Sequence, residues 1–188
     1  MKYIRQSVII LIIFTVICGV IYPLALYGVG RIFFASKANG SLVEENGQLV
    51  GSRLIGQQFT QDKYFWSRPS ATASYPYNSL ASGGSNLGPL NPSLLDQVKQ
   101  RAIQLAKSNS GNMDIPVDLV TASGSGLDPD ISLAAANYHV ERIAKARGLT
   151  TQQVQDLINR YTQHKLLGFM GEDSVNVLEL NIALDKGI

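Results

Sequence analysis

The sequence has few of the residues from which catalytic and metal centres are built. Its 188 residues include one cysteine, Cys18, and two histidines, His139 and His164, which lie 25 residues apart. Hydrolytic metal centres need clustered histidines and carboxylates. Because Cys18 lies in an apolar run, the rest of the chain can form neither an internal disulfide nor a cysteine metal site. We therefore expect no metal site, and we interpret each histidine as a satisfied core residue or a surface residue.

The sequence also lacks the signatures of nucleotide hydrolysis and of nucleic-acid binding. No segment matches the phosphate-binding pattern G-x-x-x-x-G-K-S/T, so the chain is not expected to hydrolyse ATP by itself. The part from Lys37 onward carries 13 basic and 14 acidic residues. A nucleic-acid-binding face needs an excess of positive charge. Nucleic acid is therefore excluded as a partner.

Serine chemistry remains an alternative. Ser123 and Ser125 lie among glycines, but neither forms G-x-S-x-G, and the chain contains no S-x-x-K pair. Ser125 with His139 and Asp128 could in principle form a triad, although spacing alone does not establish geometry. The preferred interpretation has no catalytic residue, and the alternative is a membrane-anchored envelope serine hydrolase that uses Ser125 or Ser123.

Charge is absent from the 25 residues between Gln6 and Gly30. About 20 apolar residues cross a hydrocarbon layer of roughly 30 Å as a helix, so residues 7–30 are predicted to form a transmembrane helix after a tail of residues 1–6. A cleaved signal peptide is disfavoured, because the run is longer than a usual signal and no A-x-A site follows it.

The orientation of this helix depends on the basic residues at its two ends. Lys2 and Arg5 precede it, and Arg31 and Lys37 follow it, so the charges are nearly balanced. The short tail and its free amino group favour a cytoplasmic N-terminus and a C-terminal domain outside the membrane.

Within the helix, Thr15, Gly19 and Pro23 recur every four residues. Small residues at this spacing allow a second helix to approach closely, and proline favours a kink. We predict that these residues face a partner helix; a single lipid-facing helix would also tolerate them.

Residues 31–188 are predicted to form one extracytoplasmic domain of the α+β class, anchored by the N-terminal helix. Local signals predict its elements: a hairpin at Asn46-Gly47, a helix after Asn91-Pro92, a strand over Ile115–Val120, a helix from Leu133 to a Gly148 cap, a helix opened by Thr150 and Gln153, and a strand over Ser174–Leu180, with helix as the alternative for Val177–Asp185.

The segment 67–93 differs in composition from the rest of the chain. Ser, Thr, Gly, Pro or Asn make up 18 of its 27 residues, and Arg68 is its only charged residue. Irregular segments of this length are usually functional or disordered. The embedded apolar residues predict a long loop that packs against other parts of the protein.

Just before this loop, Tyr64-Phe65-Trp66 and Arg68 bring together the residue types that dominate binding hot spots. We therefore predict that Tyr64, Phe65, Trp66 and Arg68 contribute to an interface. An alternating strand with Phe65 buried would explain the same residues.

Taken together and in order, these motifs make the chain similar to the KdpC family, the small single-pass component of the bacterial potassium-transporting ATPase, the Kdp complex. The similarity covers nearly the whole chain behind one N-terminal helix. It rests on Gly51-Ser52, Leu54-Ile55-Gly56-Gln57, Phe59, Tyr64-Phe65, Arg68-Pro69-Ser70-Ala71, Ser82-Gly83-Gly84-Ser85-Asn86, Thr121, Ser123, Ser125-Gly126-Leu127-Asp128-Pro129, Arg142, Ala144 and Arg147.

The resemblance implies a non-catalytic, single-pass accessory subunit in the bacterial inner membrane, needed for assembly of the pump. Its partners would be the potassium-pore subunit and the ATP-hydrolysing subunit. The family description adds a role as a catalytic chaperone that raises the ATP affinity of the hydrolysing subunit. The chain would bind no cofactor by itself and would meet ATP only together with that subunit.

Under the resemblance, Ser82, Gly83, Gly84, Ser85 and Asn86 are the nucleotide-related residues, because the run is compared with the signature Leu-Ser-Gly-Gly-Gln. This chain has Ala81 and Ser85 at the outer positions, and a glycine-rich turn explains the same run. A domain outside the membrane does not meet cytoplasmic ATP. Two mechanisms remain: the domain covers the outer entrance of the pore subunit, which we favour, or it faces inward and contacts nucleotide.

Overall fold

A computed structural model describes residues 2–187 of the chain. The chain divides into two compact units, with the boundary between Leu42 and Val43. The first unit is helical and the second is a mixed domain.

The first unit is built around one long apolar helix. It consists of α1 (Lys2–Val16), a π-helical turn (Ile17–Ile21) and α2 (Tyr22–Phe33), followed by the short α3 (Ala35–Ala38). The 32 residues from Lys2 to Phe33 are long and apolar enough to cross a membrane. At 1.5 Å per residue they extend to about 48 Å, which exceeds a hydrocarbon layer of about 30 Å.

Pro23 explains the π-helical turn. Proline has no backbone N–H, so the carbonyl of Gly19 loses its usual donor four residues later. Just before the proline, the N–H of Tyr22 bonds the carbonyl of Ile17, five residues back. The wider turn thus takes up the irregularity that the proline causes.

The second unit begins with the predicted hairpin. Strands β1 (Leu42–Glu45) and β2 (Gln48–Ser52) pair around Asn46 and Gly47. Both turn residues have positive φ, 51° and 75°, as a two-residue type I′ turn requires. The hairpin prediction is confirmed.

No helix or strand lies in the described stretch between Ser52 and Pro92, which contains the segment 67–93. Helix α4 (Pro92–Ser108) then begins as predicted: the side chain of Asn91 accepts a hydrogen bond from the N–H of Ser93, and Pro92 occupies the first turn.

The predicted strand over Ile115–Val120 is wrong. Val117–Val120 forms a one-turn helix, α5. Its turn is closed by bonds from Leu119 N to Pro116 O and from Thr121 N to Val117 O. The turn satisfies its own backbone groups, whereas a strand needs a neighbour to do so.

The predicted helix from Leu133 to Gly148 is two helices, α6 (Leu133–Tyr138) and α7 (Val140–Arg147). They meet at His139, where the Tyr138 carbonyl accepts a hydrogen bond from Asn109 Nδ2. Gly148 ends α7 in the left-handed conformation, as predicted.

Three short strands form an antiparallel sheet in the order β3-β5-β4: Asp130–Ser132, Ser174–Asn176 and Thr162–Gln163. Helix α8 (Thr151–Tyr161) has the predicted capping box of Thr150 and Gln153. The predicted strand over Ser174–Leu180 is too long. Asn176 ends the strand and caps α9 (Val177–Lys186) by accepting from Glu179 N, so the helical alternative is right.

The core lies between this sheet and the helices around it. Its fully buried side chains come from loop, strands and helices alike: Phe65, Ile131, Ile143, Ile158, Leu180, His139, Val154, Val175 and Val177. The fold is therefore an α+β domain behind one apolar anchoring helix, as predicted.

Candidate functional site

Two glycine-rich runs, Ser82–Gly84 and Ser123–Gly126, lie against each other. The Ser82 hydroxyl donates to the Ser125 carbonyl at 3.0 Å, and the backbone N–H of Gly83 donates to the same carbonyl at 2.9 Å. We call this contact the glycine-loop junction. It joins the irregular segment to the run that precedes β3.

Glycine is needed at two positions of the junction. A Cβ on Gly126, whose φ is +68°, would lie 2.6 Å from Thr72 Cγ2 and 2.7 Å from the Gly83 carbonyl oxygen. A Cβ on Gly84 would lie 3.0 Å from the Gly124 carbonyl oxygen, whereas one on Gly83 would meet open space. Close packing of backbones therefore accounts for Gly84 and Gly126.

Hydroxyl groups of the irregular segment extend the junction. The Ser70 hydroxyl donates to the Gly126 carbonyl at 2.7 Å and accepts from the N–H of Tyr77 at 2.9 Å. The Tyr77 hydroxyl in turn donates to the Arg68 carbonyl. Burial raises the pKa of Tyr77 to about 12, so this phenol stays a donor at physiological pH.

Arg68 and Asp128 form an ion pair, with Nη1 and Oδ2 2.8 Å apart. Both side chains are half-buried. The pair connects the start of the irregular segment to the Ser123–Asp128 region, 60 residues later in the chain.

The predicted interface residues Tyr64, Phe65, Trp66 and Arg68 do not share one environment. Phe65 is fully buried in the core, and its N–H and carbonyl bond Oδ1 and Nδ2 of Asn181 at 2.8 and 3.0 Å. The alternative interpretation was correct about burial but wrong about a strand, because an amide side chain replaces the neighbouring strand.

Tyr64 and Trp66 flank Phe65 and are partly exposed. Two buried or half-buried arginines hold them. The Arg147 guanidinium lies 5.1 Å from the Tyr64 ring and pairs with Asp185 at 2.7 Å, and the Tyr64 hydroxyl donates to the same carboxylate at 2.8 Å.

The buried Arg142 side chain holds the segment 62–66 in place. Its guanidinium lies 4.5 Å from the Trp66 ring and donates to the carbonyls of Asp62 and Tyr64 and to His139 Nδ1. Burial lowers the pKa of Arg142 to about 10, so the group stays charged near neutral pH. Burial, together with the Arg142 charge, lowers the pKa of His139 well below its usual value.

The triad imagined for a serine hydrolase is not assembled. His139 is fully buried and bonded to Arg142, Asp128 is paired with Arg68, and the Ser125 hydroxyl accepts from the N–H of Leu127 at 3.1 Å. Ser123 is buried. Across residues 2–187 there is also no group of His, Cys, Asp and Glu side chains arranged to hold a metal ion.

In the anchoring helix, Thr15, Gly19 and Pro23 are all exposed. The Thr15 hydroxyl donates to the Leu11 carbonyl at 2.8 Å. Apart from the adjacent residues and the helix's own backbone, no atom of residues 2–187 would lie within 4 Å of a Cβ on Gly19. No contact among the described residues accounts for glycine at this position, and a partner helix stays a prediction.

Sequence reasoning missed the partnership between the two glycine-rich runs. Their shared composition, with Ser-Gly-Gly in one and Ser-Gly-Ser-Gly in the other, was the available signal. The role of Asn181 had no local signal, because its partner lies 116 residues away.

Comparison with known proteins places these features in a family context. The family model described as "K+-transporting ATPase, c chain" matches residues 4–186. The potassium-transporting ATPase KdpC subunit of Janthinobacterium sp. (strain Marseille) is 55% identical over 97% of both chains. The KdpC subunit of Herpetosiphon aurantiacus is 54% identical over 98% of this chain and 96% of its own. That of Methylococcus capsulatus is 50% identical over 98% and 97%.

Proposed function

The chain belongs to the KdpC family, the c chain of the K+-transporting ATPase, and from this premise we propose that it is a non-catalytic accessory subunit needed to assemble and stabilise an ATP-driven potassium import pump. The observation that carries the proposal is the extent of the family match, residues 4–186. The match includes the anchoring helix as well as the α+β domain, so the similarity to the family extends over both units.

The proposed partners are the potassium-pore subunit and the ATP-hydrolysing subunit of the same pump. The experiment is purification of the pump through a tag on the pore subunit, from cells with and without this chain. We expect the tagged subunit to recover the hydrolysing subunit only when the chain is present. Full recovery without it would contradict the assembly role.

We propose that the helix Lys2–Phe33 spans the bacterial inner membrane once, with the N-terminus in the cytoplasm and the domain outside. Arg31, in the last turn of the helix, supports a position at the membrane–water interface: it donates to Asn39 Oδ1 at 2.9 Å and lies 6.0 Å from the Tyr27 ring. Alkaline phosphatase fused after Ile188 should be active. An inactive fusion, with an active cytoplasmic reporter at the same site, would reverse this orientation.

We propose that the domain covers the outer entrance of the pore subunit. Partly exposed Tyr64 and Trp66 on a segment held by Arg142 and Arg147 support this role, because rigid aromatic side chains bind at low entropic cost. Trp66→Ala should weaken attachment of the domain to the pump. The exposed Tyr75→Ala is the matched control.

We propose that the chain also acts as a catalytic chaperone, as the resemblance implies, and that any rise in ATP affinity arises through coupled conformational states. A domain outside the membrane changes ATP affinity only if it binds the pump's states unequally. The chain would then hold no ATP by itself, and the direct alternative is contact with nucleotide through Ser82–Asn86. Photocrosslinking with an azido-ATP analogue separates the two, since labelling of residues 82–86 would favour direct contact.

A further inference from the structure

A cavity of about 230 Å³ lies between the irregular segment and helices α4 and α5. Its apolar wall includes Phe59, Trp66, Leu105 and Leu119, and its two charged residues are Arg68 and Arg101. No carboxylate side chain of the described residues lines it. The cavity therefore presents positive charge against an apolar surface.

Arg101 is a cation without a carboxylate partner. Its Nη1 donates to the Val120 carbonyl at 3.0 Å and its Nη2 to Gln97 Oε1 at 3.2 Å, and among the described residues 2–187 it forms no ion pair. Two neutral acceptors hold the guanidinium in place. They leave its charge unbalanced beside the cavity.

Arg68 contributes a second unsatisfied group. Its Nη1 is paired with Asp128 at 2.8 Å, but its Nε is buried without a hydrogen-bond partner in the described structure. An unpaired buried donor on a charged group is costly. Because this atom is not accessible, Arg68 brings to the cavity only a charge that is partly balanced by Asp128, and Arg101 carries the proposed site.

We propose that this cavity binds a carboxylate group, carried either by a small organic acid or by an acidic side chain of a neighbouring subunit. Guanidinium groups hold carboxylates through charge-assisted hydrogen bonds, which are stronger than neutral ones. The apolar wall would contact the carbon body that carries the carboxylate. Ser70 and Tyr77, which extend the glycine-loop junction, also line this cavity. Binding of a small acid does not depend on the proposed role in the pump, whereas binding of a neighbouring side chain rests on it.

Trp66 makes the site directly measurable, because it is the only tryptophan of the chain and lines the cavity. The experiment is titration of the full-length chain in detergent with sodium acetate, at constant ionic strength set by sodium chloride. We expect a saturable change in Trp66 emission with half-saturation on the order of millimolar. A change that is absent, or that never saturates, overturns the proposal.

The decisive variant is Arg101→Gln, with Lys99→Gln as its matched control. Lys99 is exposed on the same helix and carries the same charge, but it does not line the cavity. Arg101→Gln should weaken acetate binding at least about tenfold, whereas Lys99→Gln should leave it unchanged. Equal weakening in both variants would show a general charge effect and overturn the proposal.

Arg101→Lys keeps the positive charge at this position. It therefore guards against mistaking misfolding of Arg101→Gln for loss of the binding site. Its acetate affinity should fall between those of the parent chain and Arg101→Gln; a loss as complete as in Arg101→Gln would contradict an electrostatic site.

The assembled pump then identifies the source of the carboxylate. The amount of chain that a salt wash releases from the pump is compared between the two variants. Greater release of Arg101→Gln than of Lys99→Gln supports a neighbouring side chain, and equal release supports a small acid.

Discussion

Arg142 Nη2 lies 3.1 Å from His139 Nδ1, and both side chains are buried. Arginine has donors only, so Nδ1 must accept, and the proton of the neutral imidazole is on Nε2. A histidine in the folded domain is thereby kept uncharged next to the Arg142 guanidinium, which is charged near neutral pH.

This relationship predicts that stability falls as the pH falls below about 6.5. The pKa of His139 is lowered in the folded state, first by burial and then by the Arg142 charge. The unfolded chain takes up its proton near pH 6.5, whereas the folded chain does not. The contribution is therefore fully present above pH 6.5 and is lost progressively as the pH falls toward the lowered pKa of the folded state, by roughly 1 kcal/mol per pH unit.

Urea unfolding of the full-length chain in detergent at pH 7.5 and 5.5 checks this expectation. His139→Gln should remove roughly 1 kcal/mol of the pH dependence, and His164→Gln, at the exposed second histidine, is the control variant. Identical pH profiles for the parent chain and His139→Gln would contradict it.

Arg142 is expected to be among the most sensitive positions of the domain. Arg142→Met removes the donors for the Asp62 and Tyr64 carbonyls and for His139, so we predict a loss of about 3 kcal/mol in the free energy of unfolding. Lys145→Met, on the exposed face of the same helix, should change it by less than about 0.5 kcal/mol. A denaturant midpoint for Arg142→Met as high as that of Lys145→Met would refute this role.

The glycine-loop junction predicts opposite outcomes for two glycines. Gly126→Ala combines a positive φ with contacts of 2.6 and 2.7 Å, and should destabilise the domain by at least about 2 kcal/mol. Gly83→Ala meets open space, and should stay within about 0.5 kcal/mol of the parent chain. Urea unfolding of both variants measures the difference, and equal midpoints would contradict the packing role of Gly126.

The Gly83→Ala variant also distinguishes a packing role of the Ser82–Gly84 run from direct contact of this run with nucleotide. If the Ser82–Gly84 run serves to pack loops, Gly83→Ala leaves the ATP affinity of the assembled pump unchanged. A marked rise in the KM for ATP in this stable variant would instead favour direct contact.

The anchoring helix predicts a further pair of variants. A Cβ on Gly19 would meet open space in the part of the chain that the structure describes, so Gly19→Leu should leave the isolated chain folded. In the pump it would block close helix approach, and we expect about fivefold less chain to be recovered with the tagged pore subunit. Gly28→Leu, outside the Thr15–Pro23 spacing and equally free of contacts, is the control. Equal recovery of both variants would argue against a partner helix on this face.

Local signals were sufficient to predict elements that depend on neighbouring residues. The Asn46-Gly47 turn, the Asn91 cap, the capping box at Thr150 and the Gly148 cap are all present. Each depends on interactions within about one turn of the chain, so the sequence contains the necessary information.

Predictions failed where distant residues decide the backbone. At the break between α6 and α7, the Tyr138 carbonyl is bonded by Asn109, 29 residues earlier in the chain. The Val117–Val120 turn is an exception, because its own hydrogen bonds are local and a short apolar run fits a strand as well as a helical turn. The pairing of Ser82–Gly84 with Ser123–Gly126 joins segments about 40 residues apart. Such contacts are tertiary and leave no periodic pattern in the sequence.

We propose that the potassium pump does not function without this chain. The most direct measurement is ATP-driven potassium uptake into vesicles reconstituted with the pump's other subunits, before and after adding the purified chain. We predict background uptake without the chain and restored uptake with it. Equal uptake and equal ATPase activity in both preparations would contradict a requirement for this chain.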